Sequence, residues 1–254
     1  MKATFVCTAV LTLMLLLSGC SSNKSANSEA PAAQPPGVAV DQATVGSITG
    51  KVAFTGEKPK LPEIHMDQDP VCMQKHKSAV DVQDGAVNDN GTLPYAFVYV
   101  KQGAEKYAFP IPRQPATIDQ DGCMYKPHVL GIMVGQDLHV VTSDNTTHNI
   151  HAMPKINEEW DESQPPGAAP IDKKFTKPEI MVPVKCNQHP WMRAYIGVTS
   201  NPLFSVTNDQ GTFTINGVPP GDYTLAVWTS NYGTEEQKVT VAPKQSTTAD
   251  FTLK

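Results

Sequence analysis

Three side chains that bind soft metal ions fall within seven positions of this chain. They are Cys186, His189 and Met192, in the run KCNQHPWMRAY from Lys185 to Tyr195. A thiolate and a thioether are soft ligands and an imidazole is intermediate, so the mixture favours copper over magnesium, calcium or manganese. Zinc would accept the Cys and the His but has little use for the Met. A binuclear copper centre would need a second cysteine on the loop, and CNQH has none. Two histidines and a cysteine in a trigonal set with a weak axial Met suit electron transfer, and such a set requires one more histidine from elsewhere. His148, in SDNTTHNIHAM and 38 residues upstream of Cys186, follows directly on an apolar run over Leu138 to Thr142. The two loops meet if their strands end at the same pole of a sandwich. Taken singly, each residue has a plainer reading: Cys186 bridged to another cysteine, His189 on the surface, Met192 as core filler.

Other candidates offer less. His151 has no vacant role in a four-ligand site, and His128 in YKPHVL reads as a packed or surface residue. His65 and His76 flank Cys72 in a polar loop. No Ser-His-Asp order, phosphate-binding glycine loop or carboxylate pair in an ordered context stands out. Glu158, Glu159, Asp161 and Glu162 fall in a predicted loop, where solvation explains them. A metal with all its positions filled leaves none for substrate, so the expectation is a carrier and not an enzyme.

The elements that must position these residues are short. Ser47–Phe54, Leu93–Val100, Leu138–Thr142, Glu179–Lys185, Ala194–Thr199, Gly211–Ile215, Tyr223–Trp228 and Gln237–Val241 alternate or run apolar between Gly- and Pro-rich segments, and read as strands. No long amphipathic helix is apparent. The expected fold is all-β, built as two packed-sheet domains. Pro183 within an apolar strand predicts an edge or a bulge there. Residues 155–178 predict one irregular surface excursion.

The N-terminus indicates the compartment. Lys2 precedes an apolar run from Val10 to Leu17 that is too short to span a bilayer, and Leu17-Ser18-Gly19-Cys20 offers a cleavage site. The stretch resembles a bacterial lipobox. That resemblance makes 1–19 a lipoprotein signal peptide and Cys20 the acylated first mature residue. With Ser21 next, it implies anchoring to the cell envelope at the outer membrane, facing the periplasm. Residues 20–43, rich in Ser, Ala, Pro and Asn, read as a flexible tether. The formal net charge is −5, and one unit more negative once Lys2 is removed, which argues against a nucleic-acid partner. Cys7 leaves with the signal and Cys20 takes the lipid, so Cys72, Cys123 and Cys186 remain. An odd number in an oxidising compartment reserves one thiol for a separate task. The simplest solution pairs Cys72 with Cys123. Spacing alone leaves the connectivity open.

Two family resemblances add to this reading. His148-Asn149, followed by C-x₂-H-x₂-M at Cys186, His189 and Met192, resembles the type 1 copper site of the cupredoxins, and amicyanin in particular, over roughly residues 115–200. The resemblance implies a Greek-key β-sandwich at 111–200 with one copper ion held by His148, Cys186, His189 and Met192. It also implies that Asn149 hydrogen-bonds across to hold the ligand loop. His189 would be the exposed ligand, ringed by a docking surface of Pro190 and Trp191 with Met153 and Pro154. The partner would be a redox protein such as a c-type cytochrome or a periplasmic dehydrogenase, and nearby acidic residues would steer a cationic one. A copper-delivery lipoprotein using the same ligands is the alternative.

The second resemblance lies in VTNDQGTFTINGVPPGDYTLAVW, Val206 to Trp228, which is similar to the carboxypeptidase-regulatory, or transthyretin-like, β-sandwich. That module opens with a Gly-x-Val strand, absent just before Val206 but present as Gly50-Lys51-Val52. A discontinuous sandwich, 44–110 together with 201–254, is therefore expected, with the copper domain inserted. Sequential domains split near 110 and 200 are the alternative.

Overall fold

A computed structural model describes residues 37–254. The signal peptide, Cys20 and most of the tether lie outside the described residues. Each of the eight predicted strands overlaps an observed one, although the strand expected at Leu93–Val100 runs instead from Phe97 to Gln102. Within the stretch read as tether, Val38–Ala39 pairs in parallel with Tyr107–Ala108.

Strands from residues 116–199 build two facing sheets. One has the order Trp160–Gln164, His148–Ala152, Glu179–Lys185, Arg193–Thr199, Val129–Met133. The other has the order Ile171–Lys174, Asp137–Thr142, Ala116–Gln120, Tyr125–Lys126. Period-two alternation turns Ile118, Leu138, Val140, Ile150, Val182, Val184, Ile196 and Val198 inward, where all are buried. Two further sheets pair early with late residues. Phe97–Gln102 lies between Phe204–Val206 and Gly221–Thr229, and Gly46–Phe54 pairs with Thr212–Val218, Ser246–Thr248 and Phe251–Leu253. Ile48, Val98, Leu225 and Val227 fill that second core. No helix among the described residues is long and apolar enough to cross a membrane.

The two cores meet at a pair of glycines. Gly131 and Gly197 face each other in the ladder between Val129–Met133 and Arg193–Thr199. A Cβ at Gly197 would sit 2.6 Å from the Phe97 ring, and one at Gly131 would sit 2.2 Å from the Phe204 ring. Bare backbone is what lets both rings lie against this sheet.

Two expectations need correction. Residues 155–178 are not an irregular excursion, because Trp160–Gln164 and Ile171–Lys174 each add an outer strand to one sheet of this sandwich. WDESQ exposes alternate residues to water, so apolar periodicity does not reveal it. Pro183 is not at an edge, since Glu179–Lys185 is the middle strand of five. The Met153 N–H donates to the Pro183 carbonyl, but the return bond is one that a Pro cannot make, and the pairing of these two strands stops at Ala152 and Val184. The other half of that expectation, a bulge in this strand, is met by a register shift between Glu179 and Val182, directly before Pro183.

Candidate metal centre

His148 opens the strand His148–Ala152, and Cys186 follows immediately on Glu179–Lys185, the neighbouring antiparallel strand. The ladder puts both residues at one pole of the sandwich. The ligand loop then closes on itself. The Met192 N–H donates to the His189 carbonyl at 2.9 Å, and the Cys186 N–H donates to the Met192 carbonyl at 3.2 Å. One donor atom each from His148, Cys186 and His189 lies within a 4.8 Å cluster, and all three residues are buried. His148 Nδ1 is 3.0 Å from His189 Nδ1, and Cys186 Sγ is 3.7 Å from that same nitrogen. Met192 is fully buried in the core that contains Cys186. Cys186 is a free thiol, and the bridge joins Cys72 to Cys123.

The outer nitrogens of both imidazoles are committed. His148 Nε2 lies 2.9 Å from Asp144 Oδ2, and His189 Nε2 lies 3.3 Å from Asp69 Oδ2. A carboxylate only accepts, so each Nε2 carries the proton and each Nδ1 presents a lone pair. Two lone pairs 3.0 Å apart repel unless a cation or a proton lies between them. Burial, the largest influence, holds the His148 pKa below its ordinary value, which keeps the ring neutral as a ligand must be. The donor set therefore fits a soft or borderline metal ion.

Further residues hold these side chains in place. Asn149 Oδ1 accepts the Asn187 N–H at 2.8 Å and so links the two ligand strands. Asp161 accepts from the side-chain amides of both Asn149 and Asn187. Contrary to the loop reading, Asp161, Glu159 and Glu162 are partnered residues on or beside an ordered strand. Glu162 pairs with Lys173, and Glu159 with His151. Asp144 accepts from the N–H groups of Gly122 and Cys123 and pairs with Lys75.

Burial opposes ionisation of Asp144, yet those backbone N–H groups, His148 and Lys75 hold its pKa below the usual aspartate range. Its contribution to stability is thus complete above the unfolded-state value of about 3.9 and is lost as pH falls through the lower folded value. Asp144→Asn is expected to weaken metal affinity about 10- to 100-fold. It should also flatten the acid limb of the stability curve, as competition titrations and denaturation at several pH values would show.

One predicted role is overturned. His189 was expected to be the exposed ligand, but only 4% of its surface is accessible. The helix Pro70–Lys75 covers it, and the sequence gives the reasons for that helix. Asp69 caps it by accepting from Val71 and Cys72, Pro70 starts it, and Cys72 is bonded to Cys123. Asp69 also accepts from the Thr146 hydroxyl at 2.9 Å, and Cys72 Sγ lies 3.8 Å from His189 Nε2. Trp191 is half-buried, with its indole N–H donated to the Cys123 carbonyl, while Pro190 stays exposed.

The remaining histidines stand apart from the cluster. His128 is buried against Asp84 and the Arg193 carbonyl, His76 contacts the Gly122 carbonyl, and His65 is exposed. Asp69 and Asp144 are the site residues that sequence reasoning missed. Asp144 stands one helical turn's spacing before His148, a faint signal, and Asp69 lies 120 residues from His189 with no signal at all.

A family model for the carboxypeptidase regulatory-like domain matches residues 189–254. The end of this chain is similar to that domain. Its match begins within the ligand loop and takes in the strand Arg193–Thr199. No curated protein matches. Among solved structures, a Cu-containing nitrite reductase (NirK) from Thermus scotoductus SA-01 is 23% identical with a TM-score of 0.32, over 39% of this chain and 25% of its own. The chain thus spans a quarter of that reductase. A purple cupredoxin from Nitrosopumilus maritimus is 19% identical with a TM-score of 0.29, over 33% of this chain and 99% of its own. Amicyanin from Paracoccus versutus is 18% identical with a TM-score of 0.30, over 40% and 96%. At these scores the likeness decides nothing about the ligand. What the cluster binds follows from its own atoms.

Proposed function

We propose that residues 111–200 form a type 1 copper domain of the cupredoxin kind, set into a regulatory-like sandwich made of 44–110 and 201–254. In this reading His148, Cys186 and His189 are the strong ligands and Met192 the weak axial one. The protein carries single electrons between redox partners while anchored to the envelope through Cys20. When bound, copper supplies a one-electron couple. The chain's own work is to hold the ligands still, so that little rearranges between the two oxidation states. Asn149, Asp144 and Asp69 do that, and the buried Cys186 thiol is the thiolate such a centre requires.

One observation carries the reading: two imidazole Nδ1 atoms face each other at 3.0 Å while both Nε2 atoms are committed to carboxylates. Burial of all three donors supports retention of the ion over exchange, as a carrier requires. The test is a Cu(II) titration of the full mature chain with Cys20 replaced by serine, followed in the visible and by paramagnetic resonance. One equivalent giving an intense visible band, reversible one-electron reduction and slow loss to a chelator is the expected result. Binding without the band, or rapid loss, would overturn the electron-carrier reading.

A further inference from the structure

With the His189 edge covered, the metal-bearing sandwich is open to a partner elsewhere. A surface groove of about 410 Å³ has Cys186 in its wall, between Met153, Pro183 and Pro190. The strand register explains its composition. Pro183 lies opposite Tyr195 and takes a hydrogen bond from Met153, which makes an apolar row across three strands. The next row on the same face places Lys185 opposite both His151 and Arg193. His151, in that row, contacts the carboxylates of Glu159 and Asp161. Lys185 and Arg193 form no ion pair among the described residues. Like charges directly opposite one another destabilise a sheet, and here they persist in a chain of net charge −5. An anion brought to that pair relieves the repulsion, and the apolar row beside it permits close contact.

We infer that this groove is where a redox protein with an acidic rim docks, bringing its cofactor up to the Cys186 side of the site instead of the His189 side. The inference rests on the copper reading above, and it reverses the charge of partner expected from the sequence. Docking uses the Lys185–Arg193 pair for attraction and the Met153–Pro183–Pro190 surface for contact. The thiolate of Cys186, which forms part of the groove wall, provides the short route to the ion.

The test compares two outer-sphere oxidants with the copper(I) form of the full mature chain. Ferricyanide, an anion, and tris(phenanthroline)cobalt(III), a cation, each take the one electron the protein loses, with no bond made or broken. Lys185→Glu combined with Arg193→Glu is expected to slow oxidation by ferricyanide about tenfold and to speed oxidation by the cobalt complex, both effects fading with added salt. Met73→Glu, on the exposed face of the covering helix, should change either rate less than about twofold. Redox-inert hexacyanochromate(III) should broaden the NMR signals of residues lining the groove, and the double variant should lose that broadening. Equal slowing by Met73→Glu, or broadening centred on the helix, overturns the docking site. An unchanged visible band in the double variant shows that such a failure concerns docking, whereas a wild-type chain with no band shows that the copper reading itself has failed.

Discussion

Replacing Cys186 by serine is expected to abolish the intense visible band of the copper-loaded protein and to lower copper affinity by at least an order of magnitude. Of the remaining cysteines in the described chain, Cys72 and Cys123 are bonded to each other, so no second thiolate is at hand. Serine keeps the volume and can still accept a hydrogen bond, but its hydroxyl is neither soft nor ionised near neutral pH. The loop geometry should survive, because it depends on the backbone bonds between Cys186, His189 and Met192 and on Asn149. The variant therefore separates loss of the ligand from loss of the fold. Absorption spectra and circular dichroism on the same sample would show a band gone and a sheet signal unchanged. A band that persists would mean that the thiolate assignment is wrong.

The second large effect belongs to the covering helix. Replacing Cys72 and Cys123 together by alanine is expected to destabilise the protein by about 4 kcal/mol, the chain-entropy value for a crosslink spanning 51 residues. A lower midpoint in guanidinium denaturation would measure it. The same change frees Pro70–Lys75 from its anchor and leaves the Asp69 and Lys75 contacts to hold it. His189 Nε2 should then reach water, and its ring proton should exchange faster by NMR. A midpoint that does not move, with His189 still protected, would show that packing holds the helix without help from the bridge.

The convergence of Cys186 and His189 with His148 was legible in the sequence because metal chemistry restricts residue types more tightly than folding does. Cys, His and Met at three-residue spacing have few other reasons to occur together. The strands were legible wherever one face is apolar. Trp160–Gln164 was not, since its alternate residues are Asp and Ser pointing to water and only Gln164 is buried. The covering helix escaped notice for a different reason. At six residues it is too short for any periodicity, and its stability comes from a cap, a proline and a bond to Cys123. Its place over His189 is a long-range contact that no local pattern encodes, and so the surface role given to His189 was mistaken.

The helix that shields His189 issues from the connection between Gly46–Phe54 and Phe97–Gln102, and both of those strands are held by partners near the C-terminus. A fragment trimmed to residues 111–200 would leave behind Asp69, Cys72 and everything that keeps them in position. Such a fragment would present its imidazole edge bare to any reagent, so its redox kinetics would describe a molecule unlike the intact one.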